Sequence, residues 1–462
     1  MGDESASYTH LSSLTFMKVG NIQGLTCLPS WFFQGLTGLQ TLTLLCCKEL
    51  IILWKDVVGC EQRLHGLRDL VITFCPELIS LFEEGEEEEE GLQQHEEILN
   101  IRTLSIVNCE KLEKLPRGLD NLKFLQELTI NRCERLVLFP KKGLPSTLRK
   151  FEISECEALQ SLPELMLLTS LEHLTVRSCA SLTCVSSKDG LPPALEVLNF
   201  GYCEHLESIL ADEGMKINCP SLEVVRITHC ENLKSMPDVM QNSLRNLSTL
   251  AIQACDNLES LPEGWFAVTN MKKLRISSCK KLDILPHHAF NNFSLTSLQE
   301  LEVTSCPVVT ELVSYILKEE SSSTHFTNLT SLVLCNVDIG TLTSEWGFHR
   351  LSSLRELQLS EYGWASFPEE DLWLPRSLIS LNIIDFPNVE KLSCKIFQNL
   401  PSFQKLHFFH CPKLKSVTEL QLLPPSLMYL GMVACPRLKQ RCRKGKGQYW
   451  PLIAHIPEIR GP

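Results

Sequence analysis

Of the side chains able to do chemistry, cysteine stands out: the chain has 21 in 462 residues. Thirteen fall in one recurring setting, at Cys47, Cys75, Cys109, Cys133, Cys156, Cys179, Cys203, Cys230, Cys255, Cys279, Cys306, Cys411 and Cys435. Thiols serve as metal ligands, redox couples or nucleophiles, and each role needs a partner at short range. A structural zinc site needs ligands in close pairs such as Cys-x-x-Cys, and none occurs. His229 and His410 each precede one of these cysteines, but an adjacency that follows from a repeat is weak support for a metal. There is no Gly-x4-Gly-Lys-Ser/Thr cradle and no His-Glu-x-x-His, and Gly445-Lys446-Gly447 is too short to hold a phosphate. The sequence therefore predicts no catalytic residue, cofactor or metal.

The spacing of the cysteines points to architecture instead. From Leu125 to Pro140, the residues Leu125, Leu128, Ile130, Cys133, Leu136 and Phe139 stand at fixed offsets that recur as Leu148, Phe151, Ile153, Cys156, Leu159 and Leu162, and again as Leu247, Leu250, Ile252, Cys255, Leu258 and Leu261. Looser copies place Val19, Val337, Tyr362 and Phe386 in the cysteine slot. About 17 units of this form make a leucine-rich repeat, Leu-x-x-Leu-x-Leu-x-x-Asn/Cys. Around each Leu-x-Ile the chain alternates apolar and polar residues, the period of a strand buried on one face. Returns this short leave room for turns, extended pieces and one-turn helices, and successive strands run parallel. The fold class expected is an α/β solenoid, a leucine-rich-repeat horseshoe with its parallel sheet on the concave face and turns or short helices on the convex face.

One elongated domain over residues 1–438 follows, because a repeat buries its apolar stripe only against its neighbours. Two polar stretches lengthen it, an acidic loop at 83–97 and a serine-rich loop at 318–325. Residues 439–462 form a basic tail in which Tyr449, Trp450, Ile453 and Ile456 can cover the last coil. Trp31, Phe32 and Phe33 match Trp265 and Phe266 in setting, as aromatic plugs of the outer side. The slot cysteines are expected to be buried thiols. Stacked coils bring equivalent positions to about 4.8 Å, which permits a disulfide, but the start Met1 to His10 has no secretory character and a reducing compartment is the expectation.

A formal charge of -12 with a pI near 5.6 disfavours a general nucleic-acid binder. No apolar run approaches the roughly 20 residues that span a bilayer. Asn246, Asn292 and Asn328 head glycosylation sequons by pattern only, and without secretion they stay unmodified.

What the array offers is surface. Residues between the buried rungs point out of the sheet and line up in columns, one running Thr129, Glu152, Thr175, Asn199, Arg226, Ala251, Arg275, Glu302. Arginine and aromatic residues favour interface hot spots, so Arg177, Tyr202, Arg226, His229, Arg275 and Phe409 are the candidate partner-binding residues.

The longer unit Leu115-Pro116-x-x-Leu119-x-x-Leu122-x-x-Leu125-x-x-Leu128-x-Ile130-x-x-Cys133-x-x-Leu136 resembles the repeats of plant nucleotide-binding, leucine-rich-repeat disease-resistance proteins of the coiled-coil class. The closing segment, Cys435-Pro436-Arg437-Leu438-Lys439, Arg441-Cys442, Gly447 and Trp450-Pro451-Leu452-Ile453-Ala454-His455-Ile456-Pro457, resembles the end of that family's last repeat, with Tyr449 where the family often has Asp. The resemblance covers only that family's C-terminal portion, without its phosphate loop or Met-His-Asp motif, so no nucleotide site carries over. It implies a cytoplasmic, non-catalytic module that binds a protein, either a pathogen effector or a guarded host protein. In a full receptor it also implies contact with the receptor's own nucleotide-binding domain; neither nucleic acid nor membrane is implied. Two alternatives share the repeat: the substrate-recruiting domain of a ubiquitin-ligase adaptor, and a fragment of an ADP/ATP-dependent receptor.

Overall fold

A five-residue strand with apolar second and fourth positions can pack one face and leave the other to solvent, and this chain repeats that solution. The structure is a computed structural model that describes residues 11–28, 36–54, 66–82, 100–115, 119, 122–139, 143–186, 190–211, 215–266, 268–282, 295–307, 326–335, 348–360 and 374–461. The acidic stretch 83–97, the polar stretch 318–325, Trp31, Phe32, Phe33, and the slots expected at Val337 and Tyr362 lie outside the described residues.

The chain divides into two compact units, Met1–Asn246 and Leu247–Pro462. In the first, β1 (Phe16–Gly20), β2 (Thr41–Leu45), β3 (Asp69–Thr73), β4 (Thr103–Val107), β5 (Glu127–Asn131), β6 (Lys150–Ser154), β7 (His173–Arg177), β8 (Val197–Gly201) and β9 (Val224–Thr228) pair in chain order, all parallel. In the second, β10 (Thr249–Gln253), β11 (Lys273–Ser277), β12 (Glu300–Thr304), β13 (Ser331–Cys335), β14 (Glu356–Ser360), β15 (Ser380–Ile384), β16 (Lys405–Phe409), β17 (Tyr429–Val433) and β18 (Glu458–Arg460) do the same. Each unit is a parallel-sheet solenoid. The outer wall is extended or 3-10 rather than α-helical: short parallel ladders join Cys184–Ser186 to Ser208–Leu210 and Lys391–Ser393 to Ser416–Thr418, and single 3-10 turns stand at Leu165–Leu167 and Glu263–Trp265. Trp265 and Phe266 are buried there, and among the described residues α-helix is confined to α1 (Pro436–Arg441) and α2 (Trp450–Ile453). The last segment buries Leu438, Cys442, Tyr449, Ile453 and Ile456 and adds β18 as a further rung beside β17.

The turn after each strand explains the cysteines. The residue following the strand takes a left-handed conformation, as at Cys46, Phe74, Asn108, Arg132, Glu155, Ser178, Tyr202 and His229 in the first unit and Ala254, Ser278, Ser305, Asp385, His410 and Ala434 in the second. Its N–H points along the stack and donates to the strand-end carbonyl of the next coil, for example Arg132 to Ser154 O at 3.0 Å and Glu155 to Arg177 O at 2.9 Å. The next residue is the slot cysteine, whose thiol turns back to the strand-end carbonyl of its own coil. Cys156 Sγ donates to Ser154 O at 3.4 Å, Cys179 Sγ to Arg177 O at 3.4 Å and Cys306 Sγ to Thr304 O at 3.2 Å. Every slot cysteine does this, so each such carbonyl within a stack uses both of its lone pairs. A small, apolar group with a weak donor suits a site that is buried yet faces a carbonyl.

This geometry corrects the first slot. The register pairs Val19 with Leu44, a buried strand position, and the left-handed residue is Asn21, so Ile22 occupies the slot. Phe386 is in the slot, buried behind left-handed Asp385.

Candidate protein-recognition face

Between the buried rungs, the middle residue of each five-residue strand faces outward. Register aligns Thr129, Glu152, Thr175, Asn199 and Arg226 across β5 to β9, and Ala251, Arg275 and Glu302 across β10 to β12. A second outward column is the left-handed residue itself, which sequence periodicity alone does not mark. Its side chains meet across neighbouring coils: Arg132 Nε donates to Glu155 at 2.7 Å, the Tyr202 and His229 rings stack at 4.5 Å and 8°, and His410 pairs with Asp385. The absence of glycine at these turns was the available signal, since a left-handed turn kept without glycine retains its side chains for some other reason.

Four of the six candidate residues come together on β7, β8 and β9. Arg177 ends β7 in register with Gly201 and Thr228, Arg226 lies mid-strand on β9, and Tyr202 and His229 form the stacked pair just beyond β8 and β9. The floor between them is small and polar: Thr175, Asn199, Gly201 and Thr228. A Cβ on Gly201 would lie 2.9 Å from Thr228 Oγ1 and 3.7 Å from Arg177 Cγ, so the arginine stem crosses the space that the glycine leaves. Neither Arg177 nor Arg226 has a hydrogen-bond or ion-pair partner for its guanidinium among the described residues, and both are exposed.

The other two candidates belong to the second unit and have different surroundings. Arg275 is tied to Glu300 at 3.0 Å and Glu302 at 3.6 Å, and Lys273 reaches Glu300 at 2.7 Å. The hydrogen bond from Lys273, aided by that from Arg275, holds the Glu300 carboxyl below its ordinary range. Phe409 ends β16, 40% exposed, beside His407 at 6.5 Å between ring centroids. His407 in turn meets Tyr429 at 6.1 Å, with the Arg460 guanidinium 5.8 Å over the Tyr429 ring. Gly431 makes room for this cluster, because a Cβ there would overlap the His407 ring and lie 2.7 Å from Tyr429 Oη. His407 Nε2 is enclosed without a hydrogen-bond partner among the described residues, and burial lowers its pKa.

Burial pushes Cys75, Cys219, Cys394 and Cys442 up to about 12, far from the thiolate that a nucleophile or ligand requires. Among the described residues no group of three His, Cys, Asp or Glu side chains could hold a metal ion, and no helix is long and apolar enough to cross a membrane.

Comparison with known proteins follows the same lines. The family model for leucine-rich repeats of RPS2-like plant disease resistance proteins matches residues 137–256. The Arabidopsis thaliana disease resistance protein At3g14460 is 28% identical over 367 residues, 78% of this chain and 23% of that protein; the chain thus spans about a quarter of that relative's length. Among solved structures, a leucine-rich-repeat protein of Leptospira interrogans superposes with a TM-score of 0.52 at 19% identity, covering 94% of this chain and 93% of the other, a likeness of fold alone. A TLR13–ssRNA13 complex gives a TM-score of 0.45 at 17% identity over 98% of this chain and 75% of that one, too distant to bear on ligands. With the coil geometry, these matches show a leucine-rich-repeat solenoid that is similar, over residues 137–256 above all, to the repeats of plant disease resistance proteins.

Proposed function

We propose that the chain is a non-catalytic recognition module of a cytoplasmic plant immune receptor, and that it holds a protein partner, a pathogen effector or a guarded host protein, on the open face of the sheet in its first unit. The observation that carries this reading is the gathering of Arg177, Tyr202, Arg226 and His229 on three adjacent strands around a small polar floor. Hot spots are enriched in arginine and tyrosine, which bring area and directed hydrogen bonds. Both guanidiniums are uncommitted among the described residues, whereas Arg275 already spends its donors on Glu300 and Glu302. In a whole receptor, the neighbouring nucleotide-binding domain is the second partner.

The test is an interaction screen in plant cells with this chain as bait, followed by alanine at Arg177, Tyr202, Arg226 and His229 together. A specific partner whose capture drops in that variant, with folding intact, supports the reading. Capture that is unchanged by the four substitutions removes it.

A further inference from the structure

The patch on β7 to β9 has a chemistry of its own, and from it we infer the kind of partner segment it takes: an acidic segment carrying an aromatic side chain. This inference rests on the reading of that face as the recognition surface and adds what is recognised there.

Three features of the geometry lead to it. Arg177 and Arg226 stand on strands two apart and two residues out of register, which places their Cα atoms about 12 Å from one another by ordinary strand spacing. Two long cationic side chains at that separation can each take a carboxylate from one partner segment, and a guanidinium matches a carboxylate with two parallel N–H donors. Second, the floor is built of Thr175, Asn199, Gly201 and Thr228, so nothing bulky stands between the two cations. Third, the basin is bounded on one side by Tyr202, 53% exposed, stacked flat on His229. A ring already held by a stacked neighbour loses little freedom when a further aromatic side chain packs against it.

Charge sets the sign of the partner. The chain as a whole is acidic at -12, and several of its cations are matched across coils: Arg132 with Glu155, Arg149 with Glu172, Lys234 with Glu207, Lys280 with Asp256, Lys415 with Glu390. Arg177 and Arg226 have no such partner among the described residues and stand two strands apart on one face. A polynucleotide would also welcome guanidiniums and a stacking platform, but its affinity depends on many phosphate contacts, and two cations on an acidic molecule supply few.

The experiment uses the full chain and labelled polymers of matched length: a random Glu-Tyr copolymer, polyglutamate and polyuridylate, with binding read by fluorescence anisotropy at low and moderate salt. The copolymer is expected to bind more tightly than polyglutamate and more tightly than polyuridylate. Arg177→Glu with Arg226→Glu should weaken copolymer binding by at least about tenfold, and Tyr202→Ala with His229→Ala should abolish the preference for copolymer over polyglutamate. A control pair with the same charge change, Lys439→Glu with Arg443→Glu, should leave binding within about twofold. Where a charge-reversed variant fails to give the wild-type circular-dichroism spectrum, Arg→Gln at both positions replaces it, and a loss in the same direction is still required. The inference is overturned by a copolymer that does not bind, by a control pair that weakens binding as much as the patch pair, or by tighter binding of polyuridylate. A plant partner lost in the alanine variant, together with copolymer binding that ignores the patch, would leave the recognition face standing and remove only its acidic-aromatic preference.

Discussion

Replacing Cys156 separates two explanations of the cysteine slot. The side chain is fully buried, and its Sγ lies 3.4 Å from Ser154 O, a carbonyl that also takes the Arg132 N–H at 3.0 Å. Alanine removes one buried sulfur, worth about 1 kcal/mol of transfer plus a smaller cavity term, and one of the two hydrogen bonds to the carbonyl, worth about 0.5 to 1 kcal/mol. The total is about 2 kcal/mol. Serine keeps a donor for Ser154 O and gives up mainly apolar burial, so it should cost about 1 kcal/mol. Valine restores volume but carries no donor and is branched at Cβ in a tight turn, so it should cost at least as much as alanine. The order of stability expected from chemical-denaturation midpoints is wild type, serine, alanine, valine. If the slot were chosen for packing alone, valine would be best tolerated and serine worst, and that order would refute the hydrogen-bonding account. Phe386 sets the scale: its slot has no thiol, yet the Asp385 N–H still reaches Phe409 O at 2.9 Å, so the thiol bond assists the turn and the left-handed N–H secures it.

Other consequences can be checked on the same protein. Ile153→Ala and Leu250→Ala each remove a fully buried rung and should cost about 2 to 5 kcal/mol by chemical denaturation; a cost below about 0.5 kcal/mol at both would contradict a stacked core. Ala254 has φ of 51° and only a methyl group to lose, so Ala254→Gly should stabilise by about 0.5 to 1 kcal/mol, whereas proline there would cancel the N–H donated to Ser277 O and destabilise. Because Glu300 has a folded-state pKa below its unfolded value, its ion pairs contribute stability that is complete above the ordinary carboxylate range and lost as pH falls through the folded value. Lys273→Met should therefore destabilise at neutral pH and approach wild type as acid takes the pH down through the folded value, in thermal melts across that range; a difference that does not shrink with acid would deny the pair a role.

The buried rungs were legible in the sequence because burial imposes a strict pattern. Leu128 and Ile130, or Leu250 and Ile252, are two residues apart and apolar in copy after copy, and a strand with one wet face requires nothing else. The parallel sheet follows from returns that run the same way each time. What the outward residues do was less legible, because nothing periodic constrains them. Arg177 and Arg275 look alike as letters at the ends and middles of strands, yet Arg275 stands between Glu300 and Glu302 while Arg177 faces Gly201. The difference lies in which residue occupies the neighbouring coil, some two dozen positions along the chain. A column of outward residues can be written down from the repeat, but who pairs with whom across it depends on side-chain reach.

The left-handed turn joins the two kinds of residue. It is required by the stack, since its N–H carries the hydrogen bond from one coil to the next, and it costs about 1 kcal/mol or more for a residue with a side chain. Glycine would meet that requirement at less cost, yet Arg132, Glu155, Tyr202, His229, Asp385 and His410 occupy it. Their side chains are on the outer surface, where they contribute little to the core, and in Tyr202 and His229 they build one wall of the basin on β7 to β9. Strain in the backbone and exposure of the side chain thus coincide at one position of the repeat. At Tyr202 and His229 that coincidence supports the proposed binding face, whereas Ala254, Ser278 and Ala434 hold the same turn without a large side chain. Tyr202→Gly gives the argument a direct reading: it should hold or raise the unfolding midpoint while weakening capture of the Glu-Tyr copolymer, and a variant that lost stability without losing binding would reverse the roles assigned to backbone and side chain.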